Sequence, residues 1–167
     1  MPTRPRRPRP VFLLLAVVLA LAGCAPRQAA TPERQAATRA EVRQALQVWS
    51  DTASRGDLPA FMALFDQDAD IMLVGSDKGE ICRGRAEAEK WVGGLLAHNR
   101  FGWTMEQVDI DVMGNTAWAF VDGKMVVKNA ETGEVRFSTP YRYSAVLVRR
   151  GDGWAWRLFH GSIPRGE

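Results

Sequence analysis

The 167-residue chain predicts an α+β fold, a curved and mostly antiparallel sheet wrapped around about three helices that precede most of its strands. Three observations carry the prediction. Apolar residues recur at three-to-four spacing in three segments before residue 97, the period becomes two from Phe101 onward, and short glycine-bearing turns of hairpin length separate the later segments.

The first 23 residues read as an export leader. Arg4, Arg6, Arg7 and Arg9 form a positive start, and residues 11–22 are an uncharged apolar run. A membrane-spanning helix needs about 20 apolar residues, so this shorter run suits the core of a signal peptide. Leu21-Ala22-Gly23-Cys24 follows and resembles the lipobox of bacterial lipoproteins. The resemblance implies cleavage before Cys24, diacylglyceryl on its sulfur and a second acylation on the new amine. More than one acyl chain matters because a single chain anchors only marginally. The expected location is therefore the bacterial cell envelope, with the domain lipid-anchored and outside the cytoplasm. An ordinary secretory signal with an incidental Cys24 is the alternative.

Removing the leader changes the charge balance. Four of the 22 basic residues leave with it, so 18 face 19 acidic residues and the net charge falls from +3 to −1. No basic run interleaved with aromatics remains to argue for nucleic acid. Cys82 is the other of the two cysteines, so a lipidated Cys24 leaves no pair for an intrachain disulfide. His98 and His160 have no companions at zinc-ligand spacing, and no phosphate-binding glycine loop or nucleophile motif is present, so neither metal nor cofactor is expected.

Residues 24–38, rich in Ala, Gln, Pro and Arg, read as a flexible tether whose end merges into a helix capped by Thr31-Pro32-Glu33. The domain proper is expected over 39–164. Val42, Leu46, Trp49 and Ala53 make the apolar stripe of the first helix, which Gly56 ends. Asp57 then caps a shorter helix carrying Leu58, Phe61, Met62 and Phe65, with Pro59 in its first turn. Residues 71–74 suit a strand and 75–79 a polar turn. Gly84 opens a third helix with Ala88, Trp91, Val92, Leu95 and Leu96 at helical spacing.

Four strands are expected at about 101–113, 116–128, 135–149 and 154–162. Phe101, Trp103 and Met105 share one parity and Val108, Ile110 and Val112 the other, which predicts a bulge near Glu106 or Gln107.

This order, with Gly153-Trp154 entering a last strand that finishes in His160-Gly161-Ser162 and with Arg142-Tyr143-Ser144 before it, is similar to the SnoaL-like and DUF4440 branch of the NTF2-like superfamily. The resemblance covers about residues 39–164. It implies a cone of curved sheet closed by helices, with a cavity inside and homodimerisation across the outer face of the sheet. Isomerases, cyclases, dehydratases, ligand binders and association domains share that fold, so activity does not follow from it. The isomerase constellation of carboxylate base, Tyr and protonated acid cannot be placed on these residues.

The candidate ligand-binding residues are Trp49, Phe61, Phe65, Trp91, Trp103, Trp118, Phe120, Arg142, Tyr143, His160 and Ser162. His160 shares parity with Trp154, Trp156, Leu158 and Ser162, which would set an imidazole on an apolar face, as a proton carrier or as a satisfied core histidine. Arg142 could project into a cavity and bind a carboxylate, or pair across strands with Asp109, Asp111 or Asp122. The aromatics either line a pocket for a small apolar ligand or fill the core. Asp70 and His160 are the catalytic candidates, as an acid-base pair, and Asp122 is a further carboxylate near apolar sequence. Two functions remain open: binding of a small, largely apolar molecule, with or without isomerase, cyclase or dehydratase-type turnover, and self-association or docking within the envelope.

Overall fold

The computed structural model describes residues 31–67 and 70–165. The leader, Cys24 and the first part of the tether lie outside the described residues. The unit that begins at Pro32 carries the domain. Its first helix, α1 (Pro32–Arg55), buries Val42, Leu46, Trp49 and Ala53 to 2% exposure or less, the stripe that the spacing predicts. The helix starts at Pro32, so residues 32–38, read as tether from their composition, are helical.

Gly56, at φ +74°, terminates α1 in a conformation that a side chain would strain. Asp57 caps α2 (Leu58–Ala63) by accepting a hydrogen bond from the Ala60 amide at 3.0 Å. Two short antiparallel strands follow, β1 (Met72–Val74) and β2 (Ile81–Arg83). The sequence reading contained no β2, because three residues carry no period. Gly84, at φ +81°, opens α3 (Arg85–His98), and Glu87 reaches back to the Arg83 amide at 2.8 Å.

The remaining strands are β3 (Asn99–Trp103), β4 (Gln107–Met113), β5 (Thr116–Asn129), β6 (Val135–Arg150) and β7 (Gly153–Ser162). Among the described residues they complete a seven-stranded sheet in the order β2-β1-β7-β6-β5-β3, with β4 also pairing β5. All pairs are antiparallel except β1 with β7, which run parallel. The result is a curled sheet with the helices against its concave face, the α+β fold predicted.

The curl comes from local breaks in the ladders. Trp103 pairs with Met125 and Gln107 with Asp122, so β3–β4 holds one residue more than β5 across this stretch. The surplus lies within Thr104–Glu106, at the place where parity changes, and it splits the expected single strand in two. The Thr104 carbonyl packs against Gly123, where no side chain could stand.

A second break lies in β7. Leu147 pairs with Trp156 while Val146 pairs with Leu158, which leaves Arg157 as the extra residue. Trp156 and Phe159 are then both buried, and His160 faces outward. The surplus Arg157 reaches Asp66, which is 1% exposed and also held by Arg150. Asp66 sits beside β7 because its amide donates to the Trp156 carbonyl at 2.9 Å.

Candidate functional site

The concave face is built from alternate residues. On β5 Ala117, Ala119, Val121, Met125 and Val127 point inward, and on β6 Tyr141, Tyr143, Ala145 and Leu147 do. Trp49 of α1 packs among the rings of this face. Its ring centroid lies 4.3 Å from Trp103, 4.8 Å from Trp156, 4.8 Å from Phe159 and 5.5 Å from Phe61. Offset and tilted ring pairs of this kind each add about 0.5–1.5 kcal/mol beyond burial.

Beside this cluster lies a cavity of about 210 Å³. Its walls come from α1 (Trp49, Ala53), α2 (Phe61), α3 (Trp91, Val92, Leu95, Leu96), β3 (Phe101, Trp103) and the sheet (Leu73, Met125, Phe159). Phe137 and Ile163, 50% and 43% exposed, stand at its mouth. Ser76, Asp77, Glu80 and Tyr141 form its polar end. An enclosed cavity of about 150 Å³ holds benzene, and drug-sized pockets begin near 300 Å³. The space therefore matches one ring with a short substituent.

The polar end is set by the β1–β2 turn. Glu80 accepts from the Asp77 amide at 3.0 Å and its backbone pairs with Gly75 at 2.8 Å, while Gly75 lacks the side chain that would collide with the Glu80 carboxylate. Tyr141 is 5% exposed, and burial, aided by the fields of Glu80 and Asp77 and partly offset by a hydrogen bond with Ser76, pushes its phenol up to about 12. It stays protonated and serves as a hydrogen-bond donor. Burial drives Tyr143 higher still. The Tyr143 hydroxyl and the indole N–H groups of Trp49, Trp103 and Trp156 are buried without hydrogen-bond partners, each at a cost of about 1–3 kcal/mol. Among the described residues no three His, Cys, Asp or Glu side chains are grouped to hold a metal ion.

A family model described as the SnoaL-like domain matches residues 42–166. The chain belongs to this family. No curated protein matches it. Solved structures similar to the SnoaL-like domain share its fold at low identity. A candidate dehydratase of the NTF2-like family from Streptomyces avermitilis is 16% identical with TM-score 0.69, over 81% of this chain and 100% of that one. An NTF2-like superfamily protein from Salmonella enterica is 19% identical with TM-score 0.66, over 78% and 94%. A ketosteroid isomerase-like protein from Erwinia carotovora atroseptica is 20% identical with TM-score 0.58, over 76% and 96%.

Of the aromatics expected at a ligand, Trp49, Phe61, Trp91 and Trp103 line the cavity of the SnoaL-like domain. Phe65 and Tyr143 are packed in the core behind it. Trp118 and Phe120 lie on the convex face, opposite the inward parity of β5. Arg142 is corrected likewise: it shares that outer face and pairs with Asp122 at 3.5 Å, the cross-strand alternative. His160 and Ser162 also face outward, because the Arg157 bulge reverses the parity on which their inward orientation rested. Asp70 and His160 are both exposed and neither lines the cavity, so they form no acid-base pair there.

Sequence reasoning missed Ser76, Asp77, Glu80, Tyr141 and Phe159. Trp156 and Phe159, two large aromatics of opposite parity, were the visible sign of the bulge, since strict alternation cannot bury both. Nothing in the sequence signalled that the β1–β2 turn would reach the cavity, because that depends on the parallel pairing of β1 with β7.

Proposed function

We propose that this SnoaL-like domain binds a small, largely apolar molecule of single-ring size in its cavity, and that it is carried in the cell envelope as a lipoprotein anchored through Cys24. The carrying observation is a cavity of about 210 Å³ in which eight of the lining residues are aromatic and the polar groups are confined to one end. Such a site holds an apolar body by burial and orients it through a few polar groups. The groups able to exchange a proton with a ligand are Asp77 and Glu80, with the Tyr141 phenol as donor. Any isomerase, cyclase or dehydratase-type step has to use these rather than Asp70 and His160. The anchor rests on the lipobox resemblance, and among the described residues no helix is long and apolar enough to cross a membrane.

Intrinsic tryptophan fluorescence tests the binding directly, because three of the six tryptophans line the cavity. Titration with single-ring compounds should change the emission and raise the melting temperature, and Leu96→Trp, which fills the space from α3, should abolish both effects. A panel of single-ring, bicyclic and steroid compounds that never shifts the melting temperature sinks this reading.

A second reading has its own observation. The convex face carries Trp118, 49% exposed, with Phe120 on the same strand and Val146, Val148 and Leu158 on neighbouring strands. An apolar strip of this kind on a sheet supports self-association of the domain.

A further inference from the structure

Resting on the cavity just proposed as a ligand site, we infer that the ligand it selects is a cation: a protonated amine on a single-ring or short apolar body. None of the residues that line the cavity is Lys, Arg or His, whereas two of them, Asp77 and Glu80, are carboxylates. Both stand at the polar end beside Tyr141, and both act electrostatically on its phenol. Lys78 lies between them in the turn, exposed and not part of the lining. An acid entering this end would meet two like charges and no cationic side chain, only the hydroxyls of Ser76 and Tyr141. An ammonium would meet two carboxylates and the oxygen of Tyr141.

The walls point the same way. Aromatic faces carry negative quadrupole potential, so a cation is attracted to them where a carboxylate is repelled. Trp91, Phe101 and Trp103 are half-buried wall residues whose rings border the space leading to the polar end. The turn is also fixed in place. Glu80 is folded over Gly75 and tied to the Asp77 amide, so its charge is held at the polar end without the entropy of an extended free side chain.

The test uses three compounds of nearly equal shape and different charge: 2-phenylethylamine, 2-phenylethanol and phenylacetate. The full chain in non-ionic detergent is titrated with each at neutral pH and low salt, by calorimetry and tryptophan emission. The amine should bind about tenfold tighter than the alcohol, and phenylacetate weakest, as an ion pair near the surface and cation–π contact together imply. Asp77→Asn and Glu80→Gln should each lower the amine affinity about threefold to fivefold and lower that of the alcohol by less, so that the ratio of the two affinities falls. Glu80→Gln keeps an oxygen for the Asp77 amide, and Asp77 is exposed, so neither variant removes a core contact. Alcohol or acid binding as tightly as the amine overturns the cationic preference and leaves the cavity as a binding site. Failure of all three to bind overturns both.

Discussion

Gly161 stands opposite Tyr143 in the β6–β7 ladder, and a methyl group there would overlap the Tyr141 hydroxyl. Gly161→Ala should therefore displace the buried Tyr141 hydroxyl from the polar end of the cavity, costing about 2 kcal/mol as an overpacked core does. It should also weaken single-ring ligands more than Phe65→Leu, a core change away from the cavity. The two tyrosines also make a prediction in pH. Both phenols are raised from the ordinary value of 10, Tyr141 to about 12. The unfolded chain then releases these protons first. Stability should be unaffected by them below pH 10 and fall above it, by up to about 1.4 kcal/mol per pH unit for each tyrosine until the folded value is passed. Spectrophotometric titration at the phenolate band should show little ionisation in the folded protein near pH 11. Ionisation of either tyrosine at pH 10 without loss of structure would contradict the burial described.

Strand β7 owes its course to a residue far from it in sequence. Asp66 is nearly inaccessible and binds Arg150 through two nitrogens, at 3.1 and 2.7 Å, and Arg157 at 3.0 Å. Those contacts hold the bulge that turns Phe159 inward and His160 outward. Asp66→Asn keeps the shape and removes the charge. With both arginines partly solvated, the loss should be about 2–3 kcal/mol, read as a melting temperature lower by about 10 °C. His160→Ala, in contrast, should move the melting temperature by no more than about 2 °C and leave ligand affinity unchanged, since the side chain is exposed on the other face. The break between β3 and β4 works differently. There Gly123 admits the Thr104 carbonyl, and Gly123→Ala should straighten the strand at the expense of the Trp103 position.

For the intact protein, the convex face and the anchor give separate predictions. Trp118→Glu should convert an associated form to monomer in sedimentation velocity without altering the cavity, and an unchanged mass would remove the self-association reading. Cys24→Ser should release the exported protein from the membrane fraction, whereas persistence there would remove the anchor. The surface seam that joins α1 to the sheet, in which Arg149 binds Glu41 and Trp154 donates to it at 3.3 Å, is independent of both. The Arg149 guanidinium also lies 4.6 Å from the Trp154 ring centroid.

Much of the architecture was legible because it is local. Helical stripes such as Val42-Leu46-Trp49-Ala53, the Asp57 cap, the short glycine-bearing hairpin turns and the parity change before Val108 each depend on residues a few positions apart. The sequence by itself thus determined the helices, the hairpin order, the α+β class and the apolar interior. Which face each strand residue took, and so which residues form the cavity, was decided by tertiary structure. One surplus residue at Arg157, fixed by a carboxylate 91 positions earlier, reverses everything after it. The polar end likewise exists only because β1 pairs in parallel with β7 and brings the 75–80 turn to Tyr141. A period of two reports alternation but not its phase. That phase comes from ladder register and long-range ion pairs, and here it set Tyr141, rather than His160 and Arg142, at the cavity.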